Sequence, residues 1–219
     1  MKLLAIRAAA AALAVMSLSS CASATYGVME QFGIEKRDIL VDRVDEARDA
    51  QADAKEQFAD ALEAFRAMVD VDGGELEKLY DKLNAEYKAS ENSADRVRER
   101  IKSVDQVARD LFKEWRSELN QYDDQSLRRI SEAQLLQTEQ RYEQLIAKMR
   151  QASDSMDPVL RVFHDRVLFL KHNLNASAIA ALDNEKTRIE GDVADLIAAM
   201  ERSIAEADAF ISEMRSTSG

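Results

Sequence analysis

Two histidines provide the only imidazole side chains in this chain that could bind a metal or transfer a proton. His164 and His172 are eight residues apart in a helical segment, which separates their Cα atoms by about 12 Å along the axis. Two histidines on one helix share a metal when they are about four residues apart. We therefore expect no shared metal, and we expect each ring to form a hydrogen bond at a helix interface.

The segment from Asp70 to Glu75 superficially resembles a calcium-binding loop, because Asp70 and Asp72 fit its first and third positions. An EF-hand also needs a glycine at position 6 and a glutamate at position 12, where this chain has Glu75 and Asp81. The segment fails this test. Nucleophile-elbow, zinc-protease, phosphate-loop and dinucleotide motifs are also missing from the sequence, so we predict no cofactor and no enzymatic activity.

A short basic run alternates with acids and predicts a solvated face of ion pairs rather than a binding patch. The run consists of Arg96, Arg98, Arg100 and Lys102, with Asp95 and Glu99 between them. The whole chain carries a formal charge of −11. Nucleic-acid binding needs clustered positive charge, so we expect no nucleic-acid partner.

The single cysteine lies at the end of an N-terminal signal-like segment. Lys2 and Arg7 precede an apolar run over residues 8–18, which is too short to span a bilayer that needs about 20 residues. The run ends in Leu18-Ser19-Ser20-Cys21, which has the form of a lipoprotein signal: an aliphatic residue, two small residues and a cysteine. This motif predicts a signal peptide over residues 1–20 and acylation of Cys21.

The alternative is an ordinary secretory signal that is cleaved after Ala22-Ser23-Ala24. Acyl chains on Cys21 would anchor the protein without a transmembrane helix, with residues 21–33 as a tether. Ala22 replaces the aspartate that is linked to retention in the inner membrane. We therefore expect a lipid-anchored envelope protein on the outer membrane of a Gram-negative cell, facing the periplasm.

A polar stretch in the last predicted helix could bind a partner. It comprises Lys171, His172, Asn173 and Asn175, and it lies where the apolar seam slips between Leu174 and Leu182. One interpretation is a docking or ligand spot. The other, which we favour, is a kink whose side chains form hydrogen bonds with loosened backbone groups.

Long helices are needed to position these residues, because six glycines and one proline leave few breaks in 219 residues. Apolar residues recur at steps of three and four, which is typical of coiled-coil helices. The first such seam is broken only by Gln51. It comprises Leu40, Val44, Ala47, Ala54, Phe58, Ala61, Phe65 and Met68.

The breaks between seams predict helices over 34–69, 75–152 and 158–215, within one helical domain over 34–216. We expect reversals near 70–75, at Gly73-Gly74, and near 153–158, where Asp157 would cap a helix that begins at Pro158. Asp123–Ser126 could be a turn or a local slip, and we favour a continuous helix there. The predicted fold is all-α, an elongated antiparallel coiled-coil-like bundle of three long helices, or four if the chain breaks near 123.

One set of short motifs spans nearly the whole chain after Cys21. It consists of Tyr26-Gly27, Met29-Glu30, Gly33, KRDILVDRV at 36–44, Ala50-Gln51, Phe58 and the stretch 169–175, which includes LKHNLN. Together these motifs resemble a bacterial domain-of-unknown-function family of short helical envelope proteins, many of them lipoproteins. The resemblance implies a coiled-coil-rich envelope protein, and it implies no activity, cofactor or catalytic residue.

The sequence therefore favours a non-enzymatic, lipid-anchored scaffold or interaction module. Its expected partners are the membrane, through acylated Cys21, and envelope proteins or a second copy, through its helix faces. The alternative is a protein that shapes or permeabilises bilayers with an amphipathic foot over residues 22–34. An enzyme with a site between helices is the third hypothesis.

Overall fold

The computed structural model describes residues 36–70 and 75–216, and the predicted signal peptide and tether lie outside these residues. The described part is all-α, as predicted, and contains no strand. A 3₁₀ turn at Leu119–Gln121 follows the second helix. The helices are α1 (Lys36–Val69), α2 (Leu76–Glu118), α3 (Gln125–Asp154), α4 (Met156–His172), α5 (Ala176–Asp183) and α6 (Lys186–Ser216).

Helix α1 ends at Val69, the residue at which the sequence predicts its end. All eight apolar residues of its predicted seam are buried, and so is Gln51. Helix α2 runs antiparallel to it. Lys36 Nζ at the start of α1 lies 2.6 Å from Glu114 Oε2 near the end of α2, whereas Gln57 contacts Glu86. Each of the two helices buries an apolar face and exposes a charged one, so α1 and α2 pack against each other through their apolar faces.

The chain breaks after α2, so the continuous helix that the sequence favours through residues 123–126 is wrong. Asp124 Oδ1 accepts hydrogen bonds from the backbone N–H groups of Ser126, at 2.7 Å, and Leu127, at 3.3 Å. This side chain satisfies two donors that a new helix start leaves open, which makes the break favourable. Asp124 therefore caps α3, which runs back along α2.

The reversal predicted near 153–158 is also wrong. Ser155, the single residue between α3 and α4, keeps a helical backbone with φ −72° and ψ −11°. The antiparallel pairing with α2 continues across it, since Tyr142 of α3 contacts Asp105 and Asp157 of α4 contacts Arg98. Pro158 lies in the first turn of α4, where a helix tolerates the missing N–H. Helices α3 and α4 therefore form one long rod with a slight interruption.

The last helix does not run unbroken from 158 to 215, because the chain reverses between residues 173 and 185, around α5. Asn175 caps α5, since its Oδ1 accepts a hydrogen bond of 3.1 Å from Ala178 N–H. Helix α6 then runs antiparallel to α1: Arg66 lies 2.6 Å from Glu190, and Arg48 lies 3.0 Å from Asp208.

The described residues thus form four antiparallel rods, which are α1, α2, α3–α4 and α5–α6. Ion pairs also join α6 to α3, where Arg141 lies 2.7 Å from Glu213. One polar contact lies in the centre of the bundle. Gln51 of α1 accepts a hydrogen bond of 2.8 Å from Ser203 of α6, and its Nε2 lies 3.5 Å from the Met149 carbonyl oxygen of α3. The fourth rod, which the sequence offered only as an alternative, follows from the break before α3.

Candidate functional site

The predicted interaction spot lies at the end of the bundle where α4 stops. Lys171, His172, Asn173 and Asn175 are all exposed. The two asparagines stabilise helix ends: Asn173 Nδ2 donates a 3.0 Å hydrogen bond to the Phe169 carbonyl, and Asn175 caps α5. Side chains of this type satisfy backbone groups that a helix break leaves open, although the chain reverses here and does not kink as we expected.

Two large apolar side chains also reach the surface near this spot. Leu168 is 49% exposed and Phe169 is 39% exposed. His172 follows them at spacings of four and three residues, so all three share one side of α4. The structure thus places an imidazole between two exposed apolar groups, an arrangement that sequence reasoning missed because it assigned Leu168 and Phe169 no role.

The other histidine, His164, lies two turns earlier in the same helix, where α4 packs against α2. The ring of His164 packs against that of Tyr87 with centroids 5.9 Å apart, and its Nδ1 lies 3.5 Å from Asp165. His164 therefore contacts α2 through its ring, whereas His172 is exposed and forms no hydrogen bond with a described residue, so the expected hydrogen bond of each ring at a helix interface is not seen. Among the described residues, no three His, Cys, Asp or Glu side chains come close enough to hold a metal ion.

A polar groove of about 270 Å³ opens between α2 and the α3–α4 rod at His164. On the α2 side of the groove, Tyr87 donates a 2.5 Å hydrogen bond to Glu91, one turn later in the same helix. Burial, reinforced by this bond, raises the pKa of Tyr87 above its ordinary value. The hydroxyl therefore stays protonated near neutral pH and acts as a donor. The lining residues are Tyr87, Glu91, Asp95, Arg98, Asp157, Leu160, Arg161 and His164.

This groove was not predicted, because a reversal at 153–158 would turn α4 away from α2. The basic run of α2 forms part of it. Arg98 pairs with Asp95 and Asp157, and Arg100 pairs with Glu46 of α1. The run is therefore an ion-pair face, as predicted. Of the two arginines that line the groove, Arg98 is already paired with carboxylates, whereas Arg161 forms no ion pair with a described residue.

A second polar contact joins α2 and α3 at Asp105. Its carboxylate accepts a 2.7 Å hydrogen bond from Tyr142 and lies 2.6 Å from Arg109 and 3.1 Å from Arg150. Burial and the hydrogen bond to Asp105 raise the pKa of Tyr142. Four side chains from two helices are thus held together, which fixes the register of α2 against α3.

The segment that resembles a calcium loop is only partly described. Asp70 pairs with Lys186 at 2.5 Å, which joins the end of α1 to the start of α6. Residues 71–74 lie outside the described part of the chain. The carboxylate of Asp70 therefore forms an ion pair with Lys186.

The comparison with protein families gives one match that covers most of the chain. A family model described as "Protein of unknown function (DUF2959)" matches residues 25–214. The chain belongs to the DUF2959 family. The matched region includes nearly all of the four-rod bundle, so the predicted domain-of-unknown-function family is confirmed. No curated protein and no solved structure matches the chain.

Cys21 precedes the region matched by the DUF2959 model and lies outside the described residues. Its acylation therefore stays a prediction. Within residues 36–70 and 75–216, none of the helices combines the length and the apolar character that crossing a membrane requires.

Proposed function

We propose that this DUF2959 protein is a lipid-anchored helical scaffold of the bacterial cell envelope, without enzymatic activity. The observation that carries the proposal is the position of its only cysteine, at the end of Leu18-Ser19-Ser20-Cys21 after a short apolar run. Acylation of Cys21 would attach the chain to a membrane, and two or three acyl chains suffice for stable anchoring. The proposed location is the periplasmic face of the outer membrane.

The geometry of the bundle suits a spacer. Helix α2 alone has 43 residues, which corresponds to a length of about 65 Å. Ion pairs between rods recur along the length of the bundle. Two of them join α1 to α6, at Arg48–Asp208 and Arg66–Glu190, and one joins α3 to α6, at Arg141–Glu213. Exposed pairs of this kind contribute little stability individually. Together with the buried seams they favour one register, so the bundle can hold its two ends a fixed distance apart.

The proposed partner site is the interaction spot at the end of α4. There, Leu168 and Phe169 add exposed apolar area to Lys171 and His172. Envelope proteins or a second copy of the chain are the proposed partners. A single exposed apolar residue is ordinary on a protein surface, whereas a cluster with polar neighbours is typical of interaction sites.

The test compares Cys21→Ser with the unchanged protein in cells that are fed a clickable palmitate analogue. The unchanged chain should incorporate the label and sediment with membranes, whereas Cys21→Ser should lose the label and become soluble on lysis. Ser20→Ala is the matched control, because it keeps a small residue in the motif and should still be labelled. If Cys21→Ser sediments as fully as the unchanged protein, anchoring through this cysteine is refuted.

A vesicle assay separates the scaffold from the alternative function. The Cys21→Ser protein is added to dye-loaded vesicles of phosphatidylethanolamine and phosphatidylglycerol. A scaffold should leave the dye inside and the vesicles round. Dye release or tubulation at protein concentrations that saturate binding would instead support the protein that shapes or permeabilises bilayers.

A further inference from the structure

The end of the bundle opposite to the interaction spot also exposes apolar side chains. Tyr122 is 38% exposed, and Leu127 and Ile130 are each 53% exposed. Leu127 and Ile130 lie three residues apart in the first turns of α3, so they share one side of that helix. We call Tyr122, Leu127 and Ile130 the tip patch.

The tip patch lies at the end where α1 begins. Lys36, the first residue of α1, is paired with Glu114 in the last turns of α2, and Arg37 donates a 3.0 Å hydrogen bond to the Met214 carbonyl near the end of α6. Trp115 of α2 donates a 2.8 Å hydrogen bond to Ser131 of α3, one turn beyond Leu127. Four helix ends therefore meet at this tip.

Two arginines lie within the patch sequence. Arg129 is exposed and Arg128 is half-buried, and neither forms an ion pair with a described residue. The nearby Asp124 carboxylate is occupied by the N–H groups of Ser126 and Leu127, while Asp123 is an exposed acid beside it. Guanidinium groups bind phosphate oxygens in bidentate geometry, so the patch combines apolar side chains with groups that suit phosphate.

The length of chain before α1 indicates which surface this tip meets. Cys21 is 15 residues before Lys36, and a fully extended chain of that length spans about 50 Å. If Cys21 is acylated, the tip is held within that distance of the lipid headgroups. The opposite end is farther along the bundle by the length of α1, which is 34 residues or about 51 Å.

We propose that the tip patch rests in the headgroup layer of a phospholipid membrane. Leu127, Ile130 and Tyr122 would lie among the upper acyl chains and carbonyls, and Arg128 and Arg129 would bind lipid phosphates. Tyrosine and arginine favour this layer because each has an apolar part and a polar end. The inference rests on the proposed lipid anchor and adds to it a defined face of contact and an upright bundle.

The test measures the quenching of an indole by brominated lipid in the full-length acylated protein. The vesicles contain phosphatidylethanolamine and phosphatidylglycerol with bromine on the acyl chains. Trp115→Phe removes the native indole, and Leu127→Trp or Leu168→Trp then places one at either end. The two sites are nearly equally exposed, at 53% and 49%, so Leu168→Trp is the matched control. The Leu127→Trp indole should lose most of its emission and the Leu168→Trp indole almost none.

Equal quenching at the two sites, or no quenching at Leu127→Trp in protein that sediments with the vesicles, would overturn the proposal. Shielding of the Leu127→Trp indole from aqueous acrylamide without quenching by bromolipid would indicate a second copy as the occupant, and would also overturn it. If Trp115→Phe unfolds the bundle, the same comparison is made with Trp115 retained and the parental signal subtracted. A failed anchor is distinguished by the Cys21→Ser fractionation, which does not involve the patch.

Discussion

Replacing both members of the buried Gln51–Ser203 pair is expected to cost less stability than replacing Ser203 alone. Both side chains are fully buried, and the 2.8 Å bond between them joins α1 to α6. Ser203→Ala leaves the Gln51 Oε1 without its donor, and a buried acceptor left in this state costs about 1–3 kcal/mol. The long 3.5 Å contact of Gln51 with the Met149 carbonyl cannot compensate, because it uses the amide nitrogen.

Gln51→Leu should cost about 1 kcal/mol or less, because the freed Ser203 hydroxyl can turn to the Ala199 carbonyl one helical turn earlier. The double variant Gln51→Leu/Ser203→Ala leaves no unpaired polar atom and keeps the volume at position 51. Its free energy of unfolding should lie close to that of the parent. Because the two single costs together amount to about 1–4 kcal/mol and the double variant costs almost nothing, the interaction energy of the double-mutant cycle is also about 1–4 kcal/mol.

The assay is urea unfolding of the Cys21→Ser protein, followed by far-ultraviolet circular dichroism. Ser90→Ala is the matched control, since Ser90 is equally buried but donates only to the Glu86 carbonyl of its own helix, at 2.8 Å. It should change the free energy of unfolding by about 0.5 kcal/mol or less. If the costs of Gln51→Leu and Ser203→Ala simply add in the double variant, the pair is not coupled and the reasoning is refuted.

Two further predictions concern the α3–α4 rod. The pKa of Tyr142 is raised in the folded state. The protonated Tyr142 side chain therefore contributes to the stability of the folded protein below about pH 10, the ordinary tyrosine pKa, and this contribution is lost as the pH rises above 10. Tyr142→Phe should therefore reduce the fall in unfolding free energy above pH 10, and an unchanged fall would contradict this. Nitroxide labels at Leu136→Cys and Arg161→Cys, in Cys21→Ser protein, should lie about 38 Å apart by pulsed electron resonance. A hairpin at Ser155 would instead give about 20 Å.

The apolar seam and the end of α1 could be predicted from the sequence, because the spacing of apolar residues and the position of the two glycines indicate the same helix. The seam residues from Leu40 to Met68 are buried as expected, and α1 ends at Val69 before the two glycines. Polar residues at seam positions were harder to interpret. Gln51 could be identified as a break in the pattern, but its partner Ser203 lies in another rod, so no local spacing could reveal the pair.

The later turns were mispredicted because each local signal has two structural meanings. Asp157-Pro158 suits a helix start after a reversal, and it also suits the first turn of a helix that continues the rod. The outcome depends on contacts such as Arg98 with Asp157, which act at long range. The seam slip between Leu174 and Leu182 was interpreted as a kink, whereas the chain reverses there. The groove at Tyr87 and His164 was missed for the same reason.

The first and last described turns lie at the same end of the bundle, where Arg37 bonds to the Met214 carbonyl. This arrangement makes the response to force depend on where the force is applied. A pull that separates Lys36 from Ser216 opens α1 from α6 like a zipper, so contacts such as Arg48–Asp208 and Arg66–Glu190 break one after another at low force. A pull between Lys36 and the far turns at 173–185 instead loads the rods in shear, and many contacts must fail together. A chain held by its N-terminus and gripped at its far end would therefore bear load in its stronger direction.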